Sequence, residues 1–255
     1  MKSRLVKILY LFLCIISLPA ILCAQNSFIN VSKNTSKLTE VYGKVEDSLK
    51  IQFERKKLSF PPRAMYIRTF KYDRILEVWV KGEDKEIFKL FKSYKICMQS
   101  GSMGPKRSEG DYQVPEGFYY INEFNPNSNY HLALGINYPN ASDKILSDSF
   151  HPGNSIYIHG NCVSTGCIAI SDAPIEELYS LASLTKEKGQ DFIPVHVFPI
   201  KYNVKKSFEY LAQATKENQS LQKFAVKLKE AFDYFEDKKK LPVIMINKKG
   251  DYIIN

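Results

Sequence analysis

Apolar residues recur along the first half of the chain with two different periods. Between 38 and 57 they fall at every fourth position among charged residues, which is typical of one amphipathic helix, at Val41, Val45, Leu49 and Phe53. After Pro61 and Pro62 the period changes to two, which predicts antiparallel strands at 65–71, 75–80, 87–91 and 94–100. Further apolar runs predict strands at 117–124, 130–138, 155–158 and 193–199.

The second half of the chain mixes helix and strand signals. Ser171 and Asp172 offer helix-start chemistry for a helix that runs to Leu184. Residues 204–237 are rich in lysine and have helical periodicity, and the apolar runs around the turn at 249–250 predict a final hairpin. These patterns predict a mixed α+β, β-rich fold with an N-terminal helix and a C-terminal helical extension that ends in a β-hairpin.

The first 24 residues have the features of a secretory signal peptide. Basic residues precede an apolar run of about 15 residues, which is short for a membrane-spanning helix of about 20. The small residue Ala24 ends the segment, so we expect cleavage after it and export to the periplasm or cell envelope. An uncleaved membrane anchor is the alternative. Lipidation at Cys23 is disfavoured because the preceding Leu22 is large.

Length, composition and charge narrow the class of protein. A chain of 255 residues that is 44% hydrophobic can bury a substantial core. We divide it into a signal peptide (1–24), an N-terminal helical segment (25–62), a β-rich domain (63–200) and a C-terminal appendage (201–255). The formal net charge is +9, carried by scattered lysines. This favours an anionic cell-wall polymer over nucleic acid as the partner, although ordinary surface charge explains the excess equally well.

The cysteines indicate one free thiol. Two of the five lie in the predicted signal peptide, which leaves Cys97, Cys162 and Cys167. An odd number in an exported chain indicates a free reactive thiol. If Cys167 is that thiol, the other two either form a disulfide or are buried as small apolar side chains.

The segment 155–169, which reads SIYIHGNCVSTGCIA, carries the candidate chemistry. A cysteine attacks as the thiolate and needs a nearby base, and His159 is the candidate base for Cys167. Gly166 lets the backbone turn before the nucleophile, where amide N–H groups can face an oxyanion. We expect Ser164 to support this loop, and its hydroxyl is a further candidate donor. The alternative is a zinc site on the same histidine and cysteines, although Cys-x4-Cys is unlike the spacing of most structural zinc knuckles.

A second group of motifs lies upstream of this segment. Residues 104–117 read GPKRSEGDYQVPEG and continue into FYYI, and HLALGINYPN begins at His131. Together with His-Gly and Ser-x-Gly-Cys in 159–167, this order resembles the YkuD-type L,D-transpeptidase catalytic domain over 94–199. Thr165 stands where the common motif has histidine, and the loop is contracted, which looks like the YafK-type subfamily.

The resemblance implies a β-sandwich domain and an enzyme that acts on peptidoglycan stem peptides without a cofactor or metal. It implies that Cys167 attacks the amide after the L-centre of diaminopimelate to form an acyl-enzyme, while His159 takes the thiol proton. We expect Lys106 and Arg107 to orient carboxylates of the stem, and His131 to line the cleft.

The acceptor for this acyl-enzyme decides the reaction. An amine gives transpeptidation, whereas water gives a carboxypeptidase or an amidase that releases a wall-linked lipoprotein. The contracted loop favours water, because it covers the site less completely. A non-catalytic wall-binding module and a zinc-binding protein are the alternatives from other classes. Asp111 is predicted to fix a turn and His196 to be a satisfied core residue.

Overall fold

The computed structural model describes residues 36–153 and 155–255. The predicted signal peptide, 1–24, lies outside these residues. The described backbone of 36–43 is helical and belongs to an N-terminal unit, and Lys44–Asn255 form a second, compact unit. Within the described residues, no helix is both long and apolar enough to cross a membrane.

Eight strands form one hydrogen-bonded sheet. They are β1 (Ala64–Phe70), β2 (Ile75–Lys81), β3 (Lys89–Lys95), β4 (Gly117–Asn125), β5 (Ala133–Ile136), β6 (Tyr157–His159), β7 (Ile168–Ala169) and β8 (Pro194–Phe198). Their order is β3-β2-β1-β8-β4-β5-β6-β7, and only the β1–β8 and β6–β7 pairs are parallel. Beyond β3, Met98 forms a bridge with Ala169 of β7. The two edges of the sheet are therefore linked, and the sheet is curled.

Within residues 36–153 and 155–255, five helices and a separate hairpin accompany the sheet. The helices are α1 (Ser36–Arg55), α2 (Ala141–Leu146), α3 (Asp172–Glu187), α4 (Lys205–Ala214) and α5 (Gln219–Lys238). The hairpin pairs β9 (Ile244–Ile246) with β10 (Tyr252–Ile254). The predicted mixed α+β class, with its N-terminal helix, C-terminal helices and final hairpin, is confirmed.

The C-terminal helices share a core with the sheet. Every residue of β1 is buried. On one side Phe70 packs with Phe198 of β8 and Phe232 of α5. The buried guanidinium of Arg68 pairs with Glu77 on β2 and Glu236 on α5, each at 2.6 Å. Because these contacts join α5 to the centre of the sheet, residues 201–255 pack as part of this unit.

Three element predictions differ from the structure. The two strands predicted at 87–91 and 94–100 are one strand, β3, and a register shift in β2 between Val78 and Trp79 interrupts its pairing. The helical stretch 204–237 is two helices, because Asn218 accepts a hydrogen bond from the Leu221 N–H and caps a new helix. The strand predicted at 130–138 is limited to β5.

Candidate active site

The parallel pairing of β6 with β7 sets the positions of the candidate base and nucleophile. His159 is the last residue of β6 and pairs with Ala169, while Ile158 pairs with Ile168. Cys167 immediately precedes β7, and the backbone N–H of Tyr157, two residues before His159 on β6, donates to its sulfur. The candidate base therefore ends one strand, and the candidate nucleophile immediately precedes the neighbouring one.

The imidazole of His159 is buried and has one ring nitrogen fixed. Its Nδ1 lies 2.5 Å from the carbonyl oxygen of Gly160. Because a carbonyl only accepts, Nδ1 carries the proton, and Nε2 keeps a lone pair that can take one. The ring of Tyr130 packs against the imidazole with centroids 4.8 Å apart. Burial lowers the pKa of His159 below its usual value, although the Gly160 bond opposes this, so the ring is neutral near pH 7.

The thiol of Cys167 is partly buried and free. Its Sγ lies 3.8 Å from the carbonyl oxygen of Ser155, and the backbone N–H of Tyr157 donates to the sulfur. Burial raises the pKa of the Cys167 thiol, while the Tyr157 N–H and the charge of Lys106 act in the opposite direction. A neutral thiol and a neutral imidazole suit attack assisted by a general base, without a pre-formed thiolate–imidazolium pair.

The loop before the nucleophile depends on a glycine and a serine. Gly166 has a φ of +132°, and a Cβ there would lie 3.3 Å from the carbonyl oxygen of Gln113. The Ser164 hydroxyl accepts a hydrogen bond from the Gly166 N–H at 3.2 Å and donates to the Cys167 carbonyl at 2.7 Å. Its hydrogen is thus engaged in holding the loop. The Cys167 N–H has no partner within residues 36–153 and 155–255, so it is free to donate to an oxyanion.

The other two cysteines form a disulfide. Cys97 and Cys162 are bonded, with Cα atoms 5.6 Å apart, which decides between the two states that the sequence allowed. The bond also occupies the Cys162 sulfur that the zinc alternative needed. Among the described residues, no group of three or more His, Cys, Asp or Glu side chains is arranged to hold a metal ion.

The glycine-rich loop 104–117 is fixed by its own charges. The Nζ of Lys106 donates to Asp111 Oδ1 at 2.5 Å and to the Ser108 carbonyl at 2.7 Å. Asp111 also accepts the backbone N–H of Arg107 at 2.9 Å, which is the turn-fixing role predicted for it. Burial opposes ionisation of Asp111, but the Lys106 bond and the backbone donors outweigh it and lower its pKa.

A buried ion pair between Lys71 and Glu116 holds the two ends of the loop 104–117. Lys71, at the end of β1, lies 3.0 Å from Glu116 and donates to the carbonyl oxygens of Gly104 and Val114 at 3.1 and 2.9 Å. Burial lowers the pKa of Lys71, and Glu116 opposes this shift. Glu116 in turn accepts the Gly104 N–H at 2.6 Å. The start and end of the loop are therefore tied to the sheet.

The three predicted substrate-binding residues all have partners within the protein. Lys106 is buried against Asp111 but acts on the Cys167 thiol through its charge. Arg107 donates to Asp143 at 3.1 Å. His131 lies beside Glu176, with Nε2 2.6 Å from Oε1, and it precedes β5 with a φ of +74° instead of lying on a strand. The structure brings Lys106 near the nucleophile and holds the other two in separate pairs.

Two cavities flank these elements. A groove of about 1510 Å³ lies between the glycine-rich loop, α5 and the hairpin, and neither His159 nor Cys167 lines it. A smaller cavity of about 210 Å³ is lined by Tyr130 and Tyr157, the residues that touch the base and the nucleophile. Neither His159 nor Cys167 lines this smaller cavity, so neither cavity is assigned to the candidate chemistry.

Sequence reasoning did not single out several neighbours of the pair. Tyr130 against the imidazole, Ser155 beside the sulfur and Gln113 behind Gly166 are all brought in by tertiary contacts. Tyr130 and Gln113 lie next to or within motifs that were recognised, at HLALGINYPN and QVPEG. That adjacency was the only available signal.

Comparison with known proteins identifies the family. The model of the YkuD L,D-transpeptidase catalytic domain matches residues 65–197. The Escherichia coli K12 protein named "Putative L,D-transpeptidase YafK" is 33% identical over 196 residues, which cover 75% of this chain and 74% of that protein. Two solved structures also align with the chain.

The first is the helical cell shape determining protein Pgp2 from Campylobacter jejuni, with 22% identity, a TM-score of 0.43 and coverage of 72% of this chain and 73% of that one. The second is Bdellovibrio bacteriovorus Bd1075, with 18% identity, a TM-score of 0.39 and coverage of 74% and 79%. The family model and the identity to YafK confirm the resemblance seen in the motifs, and the chain belongs to the YkuD family of L,D-transpeptidase catalytic domains.

Proposed function

We propose that this protein is an exported, cysteine-dependent peptidoglycan enzyme that forms an acyl-enzyme at the L-centre of diaminopimelate. The observation that carries the proposal is the parallel pairing of β6, which ends at His159, with β7, which follows Cys167, together with the imidazole Nδ1 held by the Gly160 carbonyl. That bond leaves Nε2 as the only ring nitrogen able to accept the thiol proton. Family membership supports the substrate class.

The first half of the reaction breaks the amide bond of the stem peptide. His159 takes the proton of Cys167 as the sulfur attacks the amide carbon, and the Cys167 N–H donates to the oxyanion that forms. Collapse of this intermediate forms the thioester and breaks the C–N bond. The imidazolium of His159 then gives its proton to the departing amine.

The second half needs an acceptor, and we propose that water is the main one. The loop over the site is exposed at Asn161, Cys162, Val163 and Thr165. An exposed loop excludes water poorly and supplies few groups to position a wall amine. Hydrolysis gives an L,D-carboxypeptidase, or an amidase that releases a wall-linked lipoprotein.

The test is turnover of purified muropeptides, analysed by mass spectrometry with and without saturating acceptor muropeptide. We expect shortened stems as the main product, an adduct on Cys167 when the reaction is quenched, and neither in Cys167→Ala. A main product cross-linked between two diaminopimelates would replace hydrolysis with transpeptidation. Full activity in Cys167→Ala, or binding of wall fragments without turnover, would reject the cysteine mechanism, the latter in favour of a wall-binding module.

The ionisation of the pair adds a second test. Because burial lowers the pKa of His159, the base stays neutral and active below about pH 6.5. The acid limb of kcat/KM should therefore have its midpoint below the usual histidine value, and His159→Gln should remove the activity. A midpoint at or above about 6.5 would show that the base is not this buried imidazole.

Export is proposed on the predicted signal peptide. N-terminal sequencing of the secreted or periplasmic protein should begin at Gln25. An intact Met1 in the membrane fraction would establish an uncleaved anchor instead.

A further inference from the structure

The loop between the candidate base and nucleophile has no regular structure of its own. Residues 160–166 contain neither helix nor strand. Asn161 is tied at one end, where its N–H donates to Asp172 Oδ1 at 2.7 Å. The Ser164 bonds to Gly166 and Cys167 are internal to the loop. The middle of the loop therefore needs contacts from elsewhere to take up one position.

Those contacts come from residues 97–100, the segment after β3, which we call the brace. The brace runs beside the loop and is joined to it or to β7 by three kinds of link. These are the Cys97–Cys162 disulfide, the contact of the Ser100 and Ser164 hydroxyls at 3.4 Å, and the hydrogen bond from the Cys97 N–H to the Ala169 carbonyl at 2.9 Å. The disulfide is the only covalent link between the brace and the loop, and it attaches to the loop at Cys162, between His159 and Cys167.

We propose that the Cys97–Cys162 disulfide is a positioning element for catalysis, which acts by fixing the loop that sets the separation of His159 and Cys167. The proposal rests on the proposed function, because it assigns the disulfide a part in the same reaction. A displacement of about 1 Å in a reacting group costs on the order of 10²-fold in rate. A loop held by a single covalent link is therefore sensitive to the loss of that link.

The link is also open to reductant, because Cys162 is exposed. A dithiol such as dithiothreitol reduces the bond to two thiols and is itself oxidised to a cyclic disulfide. Cys167 is already a free thiol and is unchanged by this step. Reduction therefore breaks the covalent link between the brace and the loop without altering the nucleophile. Reoxidation restores the link.

The decisive variant is Cys97→Ser combined with Cys162→Ser, which leaves no stray thiol for exchange. We expect kcat on a stem-peptide substrate to fall at least tenfold while KM stays within threefold. Reduced wild-type protein should match the variant and recover on reoxidation, and reductant should not affect the variant. The matched control is Leu228→Ala in the buried cluster between α5 and the sheet, which should lower Tm yet keep kcat.

Alkylation of Cys167 by iodoacetamide supplies a readout that needs no substrate. Burial raises the pKa of this thiol, so a loosened loop that admits water should move the pH midpoint of alkylation down towards the ordinary thiol value. Unchanged kcat together with an unchanged midpoint in the folded double variant would overturn the proposal. If that variant does not fold, reduced wild type, with its fold checked by circular dichroism, decides by the same two criteria.

The two proposals fail in different ways. If wild-type protein does not turn over muropeptides, the proposed function fails, while the alkylation midpoint still shows whether the disulfide holds the Cys167 loop. If wild type is active and the double variant matches it in kcat and midpoint, only the positioning role fails.

Discussion

Replacing Gly166 with alanine should disable the site more than it destabilises the fold. The residue has a φ of +132°, a conformation that side chains with a Cβ rarely adopt, and forcing one into it costs on the order of 1–3 kcal/mol. The new methyl group would also lie 3.3 Å from the Gln113 carbonyl, so one of the two backbones must move by a few tenths of an ångström. Cys167 is the next residue and would move with it.

We therefore expect Gly166→Ala to lose about 1–3 kcal/mol in the free energy of unfolding and at least about tenfold in kcat. Urea unfolding and muropeptide turnover measure the two effects separately. The matched control is Gly189→Ala after α3, where φ is +99° and the Cβ would meet only Arg63 Nη1, at 3.1 Å. It should lose similar stability and keep kcat. If folded Gly166→Ala keeps kcat within twofold, the geometry argued for the nucleophile is refuted.

Three further tests concern other parts of the structure. Ser164→Ala removes the hydrogen bonds to the Cys167 carbonyl and from the Gly166 N–H. It should lower the free energy of unfolding, measured with urea, by about 1–3 kcal/mol and should also reduce kcat. An unchanged kcat would contradict the role of Ser164 in the loop. Lys71→Met leaves Glu116 buried without its cation and should lower the free energy of unfolding by about 3–5 kcal/mol. Adding Glu116→Gln should recover most of this loss. If it does not, packing and not charge is what Lys71 contributes. Burial lowers the pKa of His196 to about 3, so the unfolded chain binds the proton first as pH falls from about 6.5 to 3. Wild type should lose stability in that window, and His196→Gln should show a shallower slope in parallel urea titrations.

The chemistry of the site was predictable where it is local in the sequence. His159 and Cys167 lie in one short segment, and the parallel pairing of β6 and β7 that aligns them spans only that segment. Tyr130 could not be found in this way, because its contact with the imidazole depends on how the loop before β5 packs over β6. The sequence around Tyr130 does not distinguish a tyrosine whose ring packs on an imidazole from a tyrosine at the surface.

The predicted roles of charged residues show the same limit. Lys106 and Arg107 were expected to face substrate because cations in a glycine-rich loop often do, but the structure gives each a carboxylate of the protein, Asp111 and Asp143. Ion pairs across a fold depend on which loops meet, and periodicity does not encode that. The fold class was easier, because the change of apolar period from four to two and back marks the helices and the sheet.

The way this site is held follows from the demands of its nucleophile. In the proposed reaction the Cys167 thiol must reach an external substrate and cannot lie in a sealed apolar core, so burial of apolar surface can fix its loop only in part. The structure uses polar and covalent links instead: the Ser164 hydroxyl within the loop, the Cys97–Cys162 disulfide across it, and the Lys71–Glu116 pair beneath the neighbouring loop. The disulfide depends on redox state, whereas the aromatic core around β1 does not. Local order at the nucleophile can therefore be lost under conditions in which the rest of the fold remains intact.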